Sequence, residues 1–478
     1  MPRPLVPATI HFVSLGCPKN RVDSEVMLGV AEQKGFEQVA DPAEASVIVV
    51  NTCGFIEPAK QESIETILEL SQFKQEGRCR KLVVTGCLSQ RYPEELAQEL
   101  PEVDHFLGSS DMMKLGAVLE PGAERLLVGN PADWLVGAGS PRRLTTRGAS
   151  AYVKLAEGCN RKCSFCVIPA IRGRQRSRVP DDIVREVQRL AAQGVREVNL
   201  VSQDTIAYGR DLDPQQSLAD IVERIADVPG IAWVRLHYLY PETLTARLVT
   251  LLADHPRVLP YVDMPLQHAA DGMLRRMRRG HGGQRLVTLV ERLRKQVPNL
   301  VFRTAFIVGH PGETDEHFDQ LCDFVRWAEF DRVGVFRYSA EAGTHSDSQD
   351  HPVRARVAER RARRLMSLQK QISRRRLRAL RGRELEVLVE GTSEEHEWVM
   401  VGRYYGQAPE IDGQVVLSGG PVAPGELWRA RVTATTDYDL LAEVVTEESA
   451  APAGPVVPPP PLVHRSSDGR RVGLRTVG

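Results

Sequence analysis

Three runs in the first ninety residues restrict the fold of this 478-residue chain more than any other feature: HFVSLGC, SVIVVNTC and KLVVTGC, closing at Cys17, Cys53 and Cys87. Unbroken branched apolar residues make strands buried on both faces, and helical stretches such as SEVMLGVAEQKG and AKQESIETILELSQF separate them. That alternation predicts an α/β class and an open parallel sheet over residues 8–140. In such a sheet the carboxyl ends of all strands share one edge, so the three cysteines should converge there. One cysteine at a strand end is ordinarily a small buried hydrophobe. Three at the same topological position point to a common task, and with no obvious fourth partner nearby they suit an iron-sulfur cluster, zinc being the alternative. The adjoining Gly16, Gly54 and Gly86 allow close backbone approach. Cys79 and Cys322, inside helical or connecting stretches, read as structural.

A formal net charge of zero, 42% hydrophobic and 26% charged residues describe a globular chain, long enough for two to four domains. The start, MPRPLVPATIHF, lacks the pattern of a secretory signal, and no apolar run is long enough for a membrane span. The expected location is cytoplasmic, where eight reduced cysteines favour metal or catalytic roles over disulfides. After a Gly/Pro/Ser-rich connector, six strand-like runs with helices between them occupy residues 150–350. Six units fall short of a full eight-fold barrel, which leaves a partial (β/α)6 barrel or a second doubly wound sheet. Residues 351–383 carry thirteen Arg and Lys against the single acid Glu359, with apolar residues at near-helical spacing. They form an amphipathic basic helix, either packed on the barrel or facing phosphate. Short strands between Gly- and Pro-containing turns over 384–446 predict a small all-β, oligonucleotide-binding-like barrel. The tail 447–478, with PVVPPPPL, is expected to be a disordered extension.

A second cysteine set stands in KLAEGCNRKCSFCVIP, where Cys159, Cys163 and Cys166 are spaced CxxxCxxC just past the first strand of the second unit. No further cysteine, and no histidine between His105 and His237, offers a fourth ligand, so the centre keeps an open position. This loop resembles that of the radical S-adenosylmethionine (SAM) family. The resemblance implies a 4Fe-4S cluster whose open iron takes the amino and carboxylate groups of SAM, and a one-electron cleavage to an adenosyl radical. It also implies SAM-facing roles for Phe165 in the loop, for Gln203 and Asp204 in LVSQDT, and for Gly309 and Pro311 in AFIVGHPGET. Strand-end capping and a simple tight turn are the plainer readings of those last two stretches. Gln267 and His268 in MPLQH are similarly placed, as ligand contacts or as a satisfied polar cluster.

From residue 8 to 446 the order of parts resembles the methylthiotransferase branch of that family. The resemblance implies a second 4Fe-4S cluster on Cys17, Cys53 and Cys87 and a carboxyl-terminal TRAM barrel. It implies no particular catalytic acid or base. SLGCPKNRVDSE, CSFCVIPAIRGRQRSR and APEIDG most resemble the members that modify the β-carbon of an aspartate in a small-subunit ribosomal protein at the decoding centre. The transfer RNA-modifying members, whose first cysteine sits in a YGCQMN-like segment, are the alternative; a non-enzymatic RNA-binding zinc protein is a further one. The implied reaction uses SAM twice, once as methyl source and once as radical source. It needs an external electron donor and a sulfur donor. Glu410 and Asp412 of APEIDG are expected to form an acidic surface for the ribosomal protein, and Arg374, Arg375 and Arg376 of the basic helix to approach ribosomal RNA.

Overall fold

The computed structural model describes residues 8–242 and 244–445, so the expectation for the tail 447–478 lies outside the described residues. The amino-terminal runs form one six-stranded sheet in which Glu37–Gln38, Thr9–Ser14, Val47–Thr52, Lys81–Gly86, His105–Leu107 and Leu126–Leu127 lie side by side in that order. All pairs are parallel. Every residue of Val47–Thr52 is buried because both faces are covered. Val49 and Val83 pack with Val26, Met27 and Val30 of the helix Pro18–Gln33, while Ile48, Val50, Leu82 and Val84 pack with Ile67 and Leu70 of the helix Glu57–Ser71. The register pairs Ser14 with Asn51 and Thr52 with Gly86, which brings the three strand ends level.

The second sheet orders Arg332–Arg337, Val301–Val308, Val258–Asp263, Trp233–Leu236, Glu197–Val201 and Ser150–Lys154, again wholly parallel. Helices cross over between successive strands, and their Leu, Ile and Val residues share one core with the strands. This is the partial (β/α)6 barrel. Its last crossover helix, Asp315–Ala328, starts at a capping box: Thr314 Oγ1 accepts from His317 N at 3.2 Å, and His317 Nδ1 accepts from Thr314 N at 3.3 Å. Thr314→Ala is expected to cost about 1 kcal/mol, measured as a lower midpoint in denaturant; an unchanged midpoint would mean that water caps the helix equally well.

Five strands, Glu384–Thr392, Met400–Tyr404, Val415–Ser418, Leu440–Val444 and Leu427–Thr435, close into the small β-barrel. The helix Ala355–Arg378 precedes it and buries Ala358, Arg361, Leu365, Gln369 and Ile372, a stripe at three- and four-residue spacing, and beyond it Leu377. Leu365 and Ile372 belong to the core of the partial barrel. Much of the helix's charge is used within the chain. Arg374 and Lys370 meet Asp437, Arg375 meets Glu329, and Arg376 meets Asp331. The three arginines expected to approach RNA each also meet an acid of a neighbouring element, which the sequence of the helix alone does not reveal.

The APEIDG loop likewise faces inward. Asp412 accepts from the Tyr261 hydroxyl at 2.7 Å and from Ala408 N at 3.0 Å. The Tyr152 hydroxyl donates to Pro409 O at 3.1 Å, and Glu410 pairs with Arg21 of the first helix at 2.9 Å. One loop thus touches all three units, and the acidic surface expected of it is spent on those contacts. Deeper at this junction, Glu197 is fully buried between Arg235 at 2.9 Å and Arg403 at 2.5 Å. Arg403 also reaches Glu390 at 2.6 Å. An apolar seam of Trp233, Leu259, Tyr261, Val301, Leu388 and Ala408 surrounds these ions.

Candidate functional site

Cys17 is the residue immediately before the helix Pro18–Gln33, Cys53 directly follows its strand, and Cys87 opens the short helix Cys87–Arg91. The parallel register places all three at one edge. Gly16, with φ +91°, sits so close that a Cβ there would lie 2.9 Å from Cys53 Cβ and 3.2 Å from its sulfur. At Gly86, φ +100°, a Cβ would fall 2.3 Å from Asn51 Oδ1. These glycines let the strand ends crowd one another. Asn20 fastens the edge: its amide donates to Leu15 O at 3.0 Å and to Thr52 O at 2.9 Å.

The second set lies at the carboxyl end of Ser150–Lys154, where a small antiparallel pair, Ala156–Glu157 with Arg176–Ser177, brackets the cysteine loop. Cys159 N donates to Gly173 O at 3.1 Å, Cys166 N closes a turn on Cys163 O at 3.2 Å, and Ser164 N is held by Met277 O at 3.1 Å. Phe165 packs against the cluster of Ala270, Met273 and Met277, which fixes the loop over the barrel.

Both sets carry donors aimed at sulfur. Arg172 Nη2 donates to Cys87 Sγ at 3.3 Å, Arg279 Nη1 to Cys163 Sγ at 3.2 Å, and Arg161 N to Cys159 Sγ at 3.4 Å. Burial, with the neighbouring Cys87, pushes the Cys53 thiol up to about 12; burial likewise raises Cys166 to about 12 and Cys159 to about 11. Such thiols resist ionisation unless a cation compensates them, and an iron-sulfur core does so while N–H groups stabilise its sulfurs. Among the described residues no three or more His, Cys, Asp or Glu side chains draw in tightly enough to hold a single metal ion; thiols placed around a cluster need not. The donor set fits an iron-sulfur centre at each edge.

Gln203 donates to Glu157 at 2.5 Å and leaves its Oε1 buried without a partner, and Asp204 accepts from Arg161 at 2.6 Å with Oδ1 unpartnered. Arg161 Nη2 and Arg279 Nε are likewise unpartnered, both guanidinium groups lying over the Tyr240 ring at 3.7 and 4.2 Å. Buried polar atoms left open beside Cys159 and Cys163 fit a small polar ligand such as SAM. Gly309 and Pro311 lie on the turn after Val301–Val308, but the open side of Gly309 is covered by Ala358, whose Cβ would be 2.4 Å from a new one. Gln267, with φ 72°, adds its backbone to the sheet beside Phe306. His268 is spent on Glu313 at 3.2 Å and on Ala270 N at 3.0 Å, making it part of a satisfied polar cluster.

Sequence reasoning missed the buried network joining the two edges. Arg172, six residues beyond Cys166, crosses to the first unit and donates to Asn20 at 2.6 Å and Asp23 at 2.9 Å, and its side chain stands 3.5 Å from Glu157. Lys154 bridges Asp23 and Glu157 from the other side. Burial alone would raise the Glu157 carboxyl, but Lys154 and Arg172 hold it below its usual value. The available signal was CPKNRVD, where Asn20 and Asp23 share a helix face only three residues apart.

Comparison with known proteins agrees with this construction. Residues 9–108 match Uncharacterized protein family UPF0004, 153–325 the Radical SAM superfamily and 382–445 the TRAM domain. A protein of Sorangium cellulosum (strain So ce56), named ribosomal protein uS12 methylthiotransferase RimO, is 65% identical over 98% of this chain and 97% of its own length. The protein of that name from Anaeromyxobacter sp. (strain K) is 48% identical over 98% and 99%. This chain belongs to the RimO family. As a RimO-family chain it is a radical SAM methylthiotransferase, an enzyme of SAM and iron-sulfur chemistry. Among solved structures, the radical SAM methyltransferase TsrM from Kitasatospora setae, with cobalamin and a [4Fe-4S] cluster bound, superposes with TM-score 0.50 at 16% identity, over 70% of this chain and 72% of that one. That likeness concerns the fold. Among the described residues no helix is long and apolar enough to cross a membrane.

Proposed function

We propose that this RimO-family enzyme adds a methylthio group to the β-carbon of an aspartate in ribosomal protein uS12. The observation that carries the reading is the pair of cysteine sets on facing strand edges, bridged by Arg172. Residues 8–140, 150–350 and 384–446 act as three domains joined through the helix 351–383. Cys17, Cys53 and Cys87 would hold an auxiliary 4Fe-4S cluster, and Cys159, Cys163 and Cys166 a second one with an open position for SAM. When bound, these groups supply one-electron cleavage of SAM and a sulfur acceptor for its methyl group, with electrons and sulfur from external donors.

The protein's own part is positioning. Gln203, Asp204 and Arg161 offer open polar atoms to the amino-acid and ribose groups of SAM, and Phe165 holds the loop beside them. Gly309 and Pro311 shape the turn on the adenine side. Arg172 and Lys154 neutralise Asp23 and Glu157, so that no uncompensated acid stands between the two edges. Burial around them excludes water, which protects a reactive carbon centre from side reactions.

Mass spectrometry of small-subunit ribosomal proteins and of digested transfer RNA, from cells with and without the gene, tests this. The methylthio increment is expected to vanish from one uS12 aspartate with transfer RNA unchanged. Loss from transfer RNA alone would transfer the proposal to the RNA-modifying branch.

A further inference from the structure

Lys19 is 8% exposed, two residues after Cys17, in the first turn of the helix Pro18–Gln33. Its Nζ stands 3.4 Å from the centroid of the Tyr238 ring. Tyr238 follows the end of the barrel strand Trp233–Leu236 and takes a left-handed backbone conformation, φ 57°, in which a tyrosine is strained. The ammonium therefore crosses from the edge that carries Cys17 to the carboxyl ends of the barrel strands. Strained residues held in place by their surroundings concentrate at ligand sites.

No carboxylate among the described residues lies within ion-pair distance of Lys19, and the acids near it are already matched. Asp23 pairs with Lys154 and Arg172, Glu157 with Lys154 and Arg172, and Asp263 with Arg303 at 2.8 Å. Arg303 also lies 3.7 Å from Asp412, so of Lys19, Lys154, Arg172 and Arg303 only Lys19 has no carboxylate partner. A buried ammonium is costly without a counter-charge, and an aromatic face compensates it only in part.

We infer that Lys19 is the group that binds the side-chain carboxylate of the aspartate being modified. The inference rests on the uS12 reading above. In that substrate the carboxylate is bonded directly to the reacting β-carbon, so an ion pair at Lys19 places the C–H to be replaced beside the Cys17 edge and under the SAM-binding loop. Tyr238 restricts the ammonium from one side. The pair also supplies specificity: an asparagine of the same shape would leave the ammonium without its counter-charge, a kind of mismatch that buried polar sites reject strongly.

The test measures binding of isolated uS12, and of uS12 with its target aspartate changed to asparagine, to the cluster-loaded full-length enzyme and its Lys19 variants. The parent is expected to prefer the aspartate form by roughly thirtyfold or more. Lys19→Met is expected to bind both forms alike, and Lys19→Arg to restore the preference. Iron content checks that each variant is loaded; Lys19→Gln, smaller and still polar, replaces Lys19→Met if the latter does not load. A parent without preference, or a Lys19→Met or Lys19→Gln enzyme that keeps it, overturns the assignment and leaves Lys19 as a counter-charge to the auxiliary centre. Failure of the parent to add methylthio to uS12 at all would instead count against the substrate reading, and that is scored separately.

Discussion

Changing Cys17, Cys53 and Cys87 together to alanine is expected to lower bound iron from about eight to about four atoms per chain and to abolish methylthio transfer, while SAM is still cleaved. The reciprocal change of Cys159, Cys163 and Cys166 should remove the same amount of iron but stop both cleavage and transfer. The asymmetry follows from the two edges. The first set sits at the strand ends of the amino-terminal sheet, and Cys87 meets the second unit at Val167 and Ile171, just past the cysteine loop. The second set alone adjoins the open polar atoms of Gln203, Asp204 and Arg161. Iron analysis and chromatography of SAM products read both outcomes. An amino-terminal triple variant that kept its full iron, or one that no longer cleaved SAM while retaining half, would contradict the division of labour.

Arg403→Met is expected to cost about 3–5 kcal/mol and to release the small β-barrel from the partial barrel. The guanidinium satisfies Glu197 and Glu390, also donates to Ser150 Oγ and Gln407 O at 2.8 Å each, and is buried with Glu197. Removing it leaves Glu197 with Arg235 and the Ser150 hydroxyl, and Glu390 without its cation. Hydrogen exchange should report lost protection around Leu388 and Ala408. Combining Arg403→Met with Glu390→Gln should recover part of the loss, because Glu390 is then no longer a charge without its partner while Glu197 keeps Arg235. The junction also predicts acid sensitivity. Burial would raise Glu197, but Arg403 and Arg235 outweigh it and hold the carboxyl at about 2, against 4.5 for an ordinary glutamate. A depressed carboxylate contributes its stability in full above about pH 4.5 and loses it as pH falls toward 2. Docking monitored between pH 5 and 3 should weaken in the parent more than in Glu197→Gln, which has no carboxyl to protonate there.

The architecture was legible because strand runs such as SVIVVNTC and LVFRTAFIV carry their own signal, and parallel topology alone brings distant strand ends together. The cysteines followed from the same logic. Charged residues were read less well. Arg374 to Arg376 resemble a phosphate-binding run, yet their partners Asp437, Glu329 and Asp331 come from other elements and are invisible to any local pattern. The reverse holds for Lys19, Asn20 and Asp23, which look like an exposed polar turn in CPKNRVD and are buried because a second unit closes over them. Burial between domains depends on which surfaces meet, and helical periodicity does not encode that.

The inward-facing APEIDG loop has a mechanical consequence. Since Glu410, Pro409 and Asp412 hold onto Arg21, Tyr152 and Tyr261 respectively, the small β-barrel does not swing on its connecting helix like a tethered hand. It behaves as the fixed jaw of a caliper. Whatever ribosomal surface that jaw rests against lies at a set span from the place where the cysteine edges face each other. Choice among many aspartates then becomes partly a matter of measured distance, and the residues that set the span need touch neither substrate nor cofactor.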